Sequence, residues 1–569
     1  MAAIEETTLL AEPHHDGSEL YVLERPDELG GEAVVRLRTR RGAATQVLLR
    51  TGWDGEPTTI AAKVDEETDG ETWWSVRFPV MNPVTRYRFL IAGGEAGYAW
   101  VNGMGAHPYD VGGADDFVLA LGDAPSWHAE SVGYQIFPDR FARSGASYDP
   151  PADFIRKEWD ELPAGRGRTN PLEWFGGDLP GIEQHLDHIA SLASFVYLTP
   201  FFPAGSTHRY DATSFERVDP LLGGDAALAS LAEALHARGL KLLGDLTLNH
   251  TGVTHEWFPA ERDFYYFDES LPYGYATWLN VKSLPKLNWS SERLHERMQG
   301  VIRKWLDAGL DGWRIDVANM VGRFRETDLN HEVARWTRAA ANGSLVVAEH
   351  GHDFRTDLDG TGWHGVMNYA GFLRPAWWWL RDTTRGDDVF TSAPAPAYDG
   401  EEMVAVMRRF RSGVPWQTVL NSWTLLDSHD TPRFRTTVGG DPDLVHAGIG
   451  LQMTTPGVPV IYAGDELGLD GAWGEDGRRP MPWSRPDNWD NVTLERYRAL
   501  SQLRRSTPAL ARGGMRYVHV SADTIAYVRE TREDRLLCQI SRVPGEIAYP
   551  FSTLDPLYES PNVSLWRIS

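Results

Sequence analysis

DGWRIDVANM, residues 311 to 320, sets an arginine and an aspartate two positions apart inside a short apolar run. An unpaired charge in such a run is heavily penalised, so each needs a partner or a task. If the run is an extended strand, Arg314 and Asp316 point to the same face, because side chains alternate with period two. Two readings follow: a structural ion pair, or an active-site carboxylate at the end of a barrel strand. The surrounding sequence has to decide between them.

Working outward, seven more short apolar runs flank this one: VGYQIF (132–137), FVYLTP (195–200), LKLLGDL (240–246), LVVAE (345–349), GVMNY (365–369), SWTLLD (422–427) and VPVIYAG (458–464). Amphipathic segments lie between them. In DAALASLAEALHARG (225–239), Leu228, Leu231, Ala232 and Leu235 share one helical face, with Asp225 read as the cap and Gly239 as the stop. SSERLHERMQGVIRKWL (290–306) repeats the pattern with Leu294, Met298, Val301, Ile302 and Trp305. Eight strands, each followed by a helix, predict an α/β fold of the (β/α)₈ barrel type, with an irregular insertion at about 251–290 after the third strand. Ahead of it, residues 19–122 alternate polar and apolar and are broken by Gly, Pro and Asp, which predicts a β-sandwich. MRYVHV, TIAYVRE, RLLCQI and SLWRI predict a small β domain at the end. The expected domains are 1–124, 125–507 and 508–569.

Composition narrows the function. At 569 residues the chain exceeds one hydrophobic core, which stops growing near roughly 250 to 300 residues. With 55 basic and 80 acidic residues the net charge is -25, which argues against a nucleic-acid or anionic-membrane partner and would not repel a neutral substrate. The opening MAAIEETTLLAEPHHDG is acidic where a secretory signal is basic, so a cytoplasmic location is expected. The single cysteine, Cys538, permits no intrachain disulfide and no thiolate metal cluster. The 23 Trp, 20 Tyr and 21 Phe residues serve cores and also stack on sugar faces.

In a barrel of this kind, chemistry gathers at the C-terminal ends of the strands. Those ends supply Asp245, Asp316, Glu349, Asp427 and Asp430. Carboxylates converging at one mouth repel one another and raise some pKa values, which suits acid and base chemistry. Retaining glycoside hydrolysis needs two carboxyls roughly 5 to 5.5 Å apart.

The ordered set DLTLNH (245–250), GWRIDVANM (312–320), VVAEH (346–350) and LLDSHD (425–430) resembles the four sequence regions that mark the α-amylase superfamily. FGGDLPGI (175–182), SLPKLNW (283–289), VMNYAGF (366–372) and GVPVIYAGDELGLDG (457–471) resemble its cyclomaltodextrinase, neopullulanase, maltogenic amylase and maltodextrin glucosidase branch. The resemblance implies Asp316 as nucleophile, Glu349 as acid then base, and Asp430 as binder of sugar hydroxyls in the distorted transition state. It further implies that Arg314 holds Asp316 ionised and aimed, that His250 and His429 donate to the sugar, and that Tyr210 stacks beneath it. Asp245 is read as a support for Arg314.

The activity so implied is retaining cleavage of α-1,4-glucosidic bonds in short maltodextrins or cyclodextrin-like oligosaccharides, by a homodimer without a cofactor. Transglycosylation, or hydrolysis of cyclic mixed α-1,4/α-1,6 saccharides, is an alternative, and a non-catalytic carbohydrate-binding subunit is a third. The chain departs from the branch at Met320, where a glutamate is usual, and at Gly351, where a tryptophan is usual. RSGASYDP (143–150) offers few oxygens for calcium, and His350 with His352 lacks a third ligand, so no metal is expected. The inserted stretch 153–174 is read as part of the mouth. The three tryptophans at 377–379 are read as core or interface.

Overall fold

A computed structural model of the chain describes residues 8–167, 169–384 and 394–568. The first seven residues of the stretch read for a secretory start therefore lie outside the described residues.

Eight strands close into a parallel barrel: β1 (Gly133–Ile136), β2 (Phe195–Leu198), β3 (Lys241–Leu246), β4 (Gly312–Ile315), β5 (Leu345–Glu349), β6 (Gly365–Met367), β7 (Trp423–Thr424) and β8 (Val458–Tyr462). The ring shuts where Gly133, Tyr134 and Gln135 of β1 pair with Val460, Ile461 and Tyr462 of β8. These strands are buried along nearly their whole length, as a parallel sheet covered by helices requires. Helix α1 (Gly224–His236) buries Leu228, Leu231, Ala232 and Leu235, and α2 (Glu292–Asp307) buries Leu294, Met298, Val301, Ile302 and Trp305, as the apolar spacing demands.

Three details differ from the sequence reading. Asp225 is not the cap of α1: the cap is Gly223 at φ 103, and the Asp225 carboxylate instead accepts the Val218 N–H, fastening the preceding loop. Residues 350–364, between β5 and β6, contain no helix, because GHDFRTDLDGTGWH carries turn residues and no apolar period. The run SWTLLD pairs only through Trp423 and Thr424, after which the chain leaves the barrel wall.

The front of the chain forms two antiparallel sheets. One holds Val22–Glu24, Glu32–Arg40, Glu71–Pro79 and Lys63–Glu67, and the other is centred on Gln46–Thr51 and Val84–Ala92. Ala33, Val35 and Leu37 alternate inward to meet Val47, Leu49, Phe89 and Ile91 in a core of their own. The last residues form a five-stranded antiparallel sheet whose Tyr527, Cys538, Ile540 and Leu565 join the barrel's core. Its strand Leu554–Glu559 escaped the sequence reading because Pro556 interrupts it, and it lies at the sheet edge, where proline is tolerated. Among the described residues no helix is long and apolar enough to cross a membrane.

One buried cation fastens the end of the barrel. Arg504, in helix α3 (Asn491–Ser506), donates to the carbonyls of Thr455, Gly457, Ala129 and Ala511, joining the segment before β8 to the lead-in of the terminal sheet. Burial lowers its pKa from the usual arginine value, with Arg529 adding repulsion. Arg504→Met strips buried carbonyls of their donors, and each unsatisfied group is expensive. It is expected to lower stability by about 2–4 kcal/mol, read as a fall in the urea midpoint with an unchanged slope.

Candidate active site

Arg314 lies wholly inside the barrel near the C-terminal end of β4. Its Nη1 donates to both oxygens of Asp245, at 3.0 Å each, and to Oδ1 of Asp316 at 2.9 Å. Its Nη2 stands 3.2 Å from Oε2 of Glu349, as an ion pair without hydrogen-bond alignment. One guanidinium thus touches carboxylates from three adjacent strand ends: β3, β4 and β5. The in-register pairing of Asp245 with Arg314, and of Arg314 with Val347, sets this convergence.

Asp245 is saturated. Besides Arg314, its carboxylate accepts from the hydroxyls of Tyr197 and Tyr210, so little of it is left for a ligand. Asp316 and Glu349 are less enclosed, with side chains 10% and 18% exposed against none for Asp245. Oε2 of Glu349 also accepts the Val317 N–H at 2.6 Å. Val317 itself takes φ 39, ψ 46, a left-handed conformation that a β-branched residue avoids.

Asp430 sits at the rim, where its Oδ1 accepts from Arg478 Nη2 at 2.9 Å and its Oδ2 lies 3.2 Å from His429 Nε2. Gln135 of β1 donates to Nδ1 of His429 at 2.6 Å, which leaves the imidazole proton on Nε2. From there a chain runs through the Tyr210 hydroxyl, 2.6 Å away, to Asp245. The rings of Tyr210 and His429 lie parallel, 5.5 Å apart. His250 is buried beside Lys286 and Trp278, and its Nε2 has no aligned hydrogen-bond partner.

The electrostatics follow from this crowding. Burial pushes Asp316 far above the usual carboxylate value, opposed by Arg314 and reinforced by Glu349, Asp245 and Asp430. Burial also raises Glu349, with Arg314 pulling down and Asp430 pushing up. Asp430 goes the other way: burial would raise it, but His429, Arg478 and Arg314 together bring it lower. Asp316 and Glu349 are thus both raised while Asp430 is lowered, so the carboxyls at the mouth differ in how readily they ionise. Burial lowers His429 and His250 to about 3, so both are neutral donors at ordinary pH.

The structure brings together Arg314, Asp316, Glu349, Asp430, Tyr210 and His429, with His250 in the segment beyond β3. It removes Asp427 from the group: that carboxylate is buried, accepts the Phe434 N–H at 2.6 Å and pairs with Asp465 beside Arg433. His350 is likewise turned aside, with its Nε2 3.1 Å from Asp357. Trp377 and Trp379 are core. The stretch 153–174 reaches the rim, where Arg166 lies 3.9 Å over the exposed ring of Trp473. The next residue, Gly474, packs so tightly on the Asp430 backbone that a Cβ would come within 2.7 Å. Sequence reading missed Gln135, Tyr197 and Arg478. A glutamine inside the apolar VGYQIF was the available signal for the first. Among the described residues no cluster of three or more His, Cys, Asp or Glu side chains is arranged to hold a metal ion.

Carboxyls bridged by one cation at the C-terminal mouth of a (β/α)₈ barrel are the equipment of a carboxylate-pair glycoside hydrolase. The chain belongs to the alpha-amylase family, whose catalytic domain matches residues 135–505. It is 32% identical over 477 residues to neopullulanase 2 of Thermoactinomyces vulgaris, covering 79% of this chain and 77% of that one. It is 31% identical over 437 residues to a cyclomaltodextrinase of Bacillus sp, covering 73% of each. Among solved structures it resembles the cyclic alpha-maltosyl-(1→6)-maltose hydrolase of Arthrobacter globiformis, with a TM-score of 0.66, 30% identity and coverage of 78% of this chain and 97% of that one. A cyclomaltodextrinase structure matches with a TM-score of 0.71 at 26% identity over 98% of both chains.

The two buried imidazoles give a direct check. A histidine whose folded value is depressed below 6.5 adds stability that is present above 6.5 and is lost as pH falls toward 3. In ¹⁵N-histidine spectra, assigned with H250A and H429A, both rings are expected to remain neutral at pH 5. Midpoints near 6.5 would contradict the burial described here.

Proposed function

We propose that the protein cleaves α-1,4-glucosidic bonds of short maltodextrins or cyclodextrin-like oligosaccharides with retention of configuration. The observation that carries this reading is the Arg314 guanidinium, which binds Asp316 and stands 3.2 Å from Glu349. Asp316 attacks the anomeric carbon while Glu349 protonates the departing glycosidic oxygen, leaving a glucosyl ester on Asp316. Glu349, now a carboxylate, then deprotonates the water that displaces the ester, so each proton given is recovered. Glu349 is raised and so keeps a proton for the first step; Asp316 is raised as well, and the Arg314 guanidinium 2.9 Å away opposes that push and favours the carboxylate that attacks.

Asp430, His429 and His250 take the hydroxyls of the cleaved unit, and Tyr210 supplies an aromatic face beneath it. The neutral state of both histidines lets them donate without adding a charge that would compete with Arg314.

A second reading, transfer to a sugar acceptor or hydrolysis of cyclic mixed α-1,4/α-1,6 saccharides, rests on the acceptor side. A Cβ at Gly351 would meet nothing within 4 Å, so space stands open two residues past Glu349. The likeness to a hydrolase of a cyclic maltosyl-maltose supports the same reading. We extend the proposal to a cytoplasmic homodimer. Its supports are the acidic, single-cysteine composition and the branch resemblance.

Maltotriose hydrolysis followed by polarimetry or proton NMR is expected to release α-anomers first. Asp316→Asn is expected to lower kcat by about a thousandfold or more. Initial β-anomers, no release of sugar, or an active D316N would overturn the reading. Longer chains accumulating at high substrate would favour transfer, and light scattering should give twice the monomer mass of 63.8 kDa.

A further inference from the structure

The turn that follows Asp316 is held in an unusual way. Val317 sits at φ 39, and Ala318–Met320 then forms a single 3₁₀ turn. Backbone carbonyls in such a turn point outward and need partners. Here each of three successive carbonyls is taken by a different side chain. Asn330 Nδ2 donates to Ala318 O at 2.6 Å, and to Val321 O at 2.9 Å. Arg323 Nη1 donates to Asn319 O at 2.8 Å. Lys286 Nζ donates to Met320 O at 2.8 Å.

These donors come from separate places. Asn330 opens the helix Asn330–Ala341. Arg323 is fixed by a two-pronged grip on Asp357, at 2.7 and 2.8 Å, and Asp357 also holds His350, the residue after Glu349. Lys286 belongs to the insertion after β3. It is buried, and its ammonium also donates to Asn249, next to His250. Burial draws its pKa down to about 8, so the group is still charged at neutral pH. Charge-assisted donors to a carbonyl are the stronger kind.

The head of the turn touches the acid: the Val317 N–H donates to Oε2 of Glu349 at 2.6 Å. Glu349 thus has two anchors: this amide at the head of the turn, and the Arg314 guanidinium 3.2 Å away. We propose that Lys286, with Arg323 and Asn330, is a positioning residue: it clamps the turn after Asp316 so that the Val317 amide orients Glu349. By this account the insertion, beyond shaping the mouth, completes the acid's setting. The proposal rests on the functional reading above for what Glu349 does, and on geometry alone for how it is held.

Lys286→Met keeps length and apolar bulk but removes the donor, whereas Lys286→Arg keeps a cation. Measured on maltotriose, K286M is expected to lose about 10- to 100-fold in kcat with KM within about threefold, the range that misplacing a reacting group brings. K286R is expected to recover most of the loss. Hydrogen exchange read by mass spectrometry should show faster exchange at 317–321 in K286M than in the parent, with the barrel strands unchanged. Should K286M not fold, Lys286→Gln replaces it in both measurements. Unchanged kcat and unchanged exchange in a folded variant, or equal losses in K286M and K286R, would overturn the proposal. A parent inactive on maltotriose would overturn the functional reading, and exchange at 317–321 would still test the clamp.

Discussion

A single guanidinium buried among carboxylates is the constraint from which the rest of the site follows. Arg314 is out of contact with water, and so is Asp245. Removing such charges from solvent costs several kcal/mol for each ion, and only close, well-shaped pairing offsets it. Asp245 supplies that pairing with both oxygens, backed by two tyrosine hydroxyls. The arrangement resembles a socket: Nη1 is shared between Asp245 and Asp316, and Nη2 faces Glu349. Breaking a buried pair by removing one partner would leave an uncompensated charge worth on the order of 3–5 kcal/mol.

The barrel supplies what the socket needs. Strands β3, β4 and β5 are neighbours in register, so residues distant in sequence arrive side by side. Around that centre the structure is a set of braces. Gln135 orders the His429 proton, Arg478 holds Asp430, and the clamped turn presents the Val317 amide. Each brace comes from a different segment, and space stands open beside Gly351. Preorganised supports are what allow electrostatic stabilisation without reorganisation.

Much of this could be read from the sequence. All eight barrel strands were legible because each is a short apolar run between turn signals, and α1 and α2 because their apolar residues recur at helical spacing. Arg314 and Asp316 stood out as charges that no apolar strand tolerates without a purpose. What escaped has a physical reason in each case. Asp427 looks like Asp430 in sequence, but the chain leaves β7 after Thr424 and turns its carboxylate inward to Phe434 and Asp465. The cap of α1 depends on a left-handed Gly223, which a nearby aspartate disguises. The strand at 554–559 is obscured by its proline. Gln135, Arg478 and Lys286 act through partners hundreds or tens of residues away, and single-chain periodicity carries no record of such pairs.

In the proposed reaction Arg314 aims Asp316 at the same glycosidic centre that Glu349 serves. Incubation with a 5-fluoro-α-glucosyl fluoride, which slows turnover of a glucosyl ester, followed by peptide mapping in a mass spectrometer, tests it most directly. The account predicts one added fluoroglucosyl mass per chain, carried by the peptide containing Asp316, and no labelling of Asp316→Asn. A label on Asp430, Asp245 or Glu349, or turnover of ordinary substrate without any trapped ester, would contradict it.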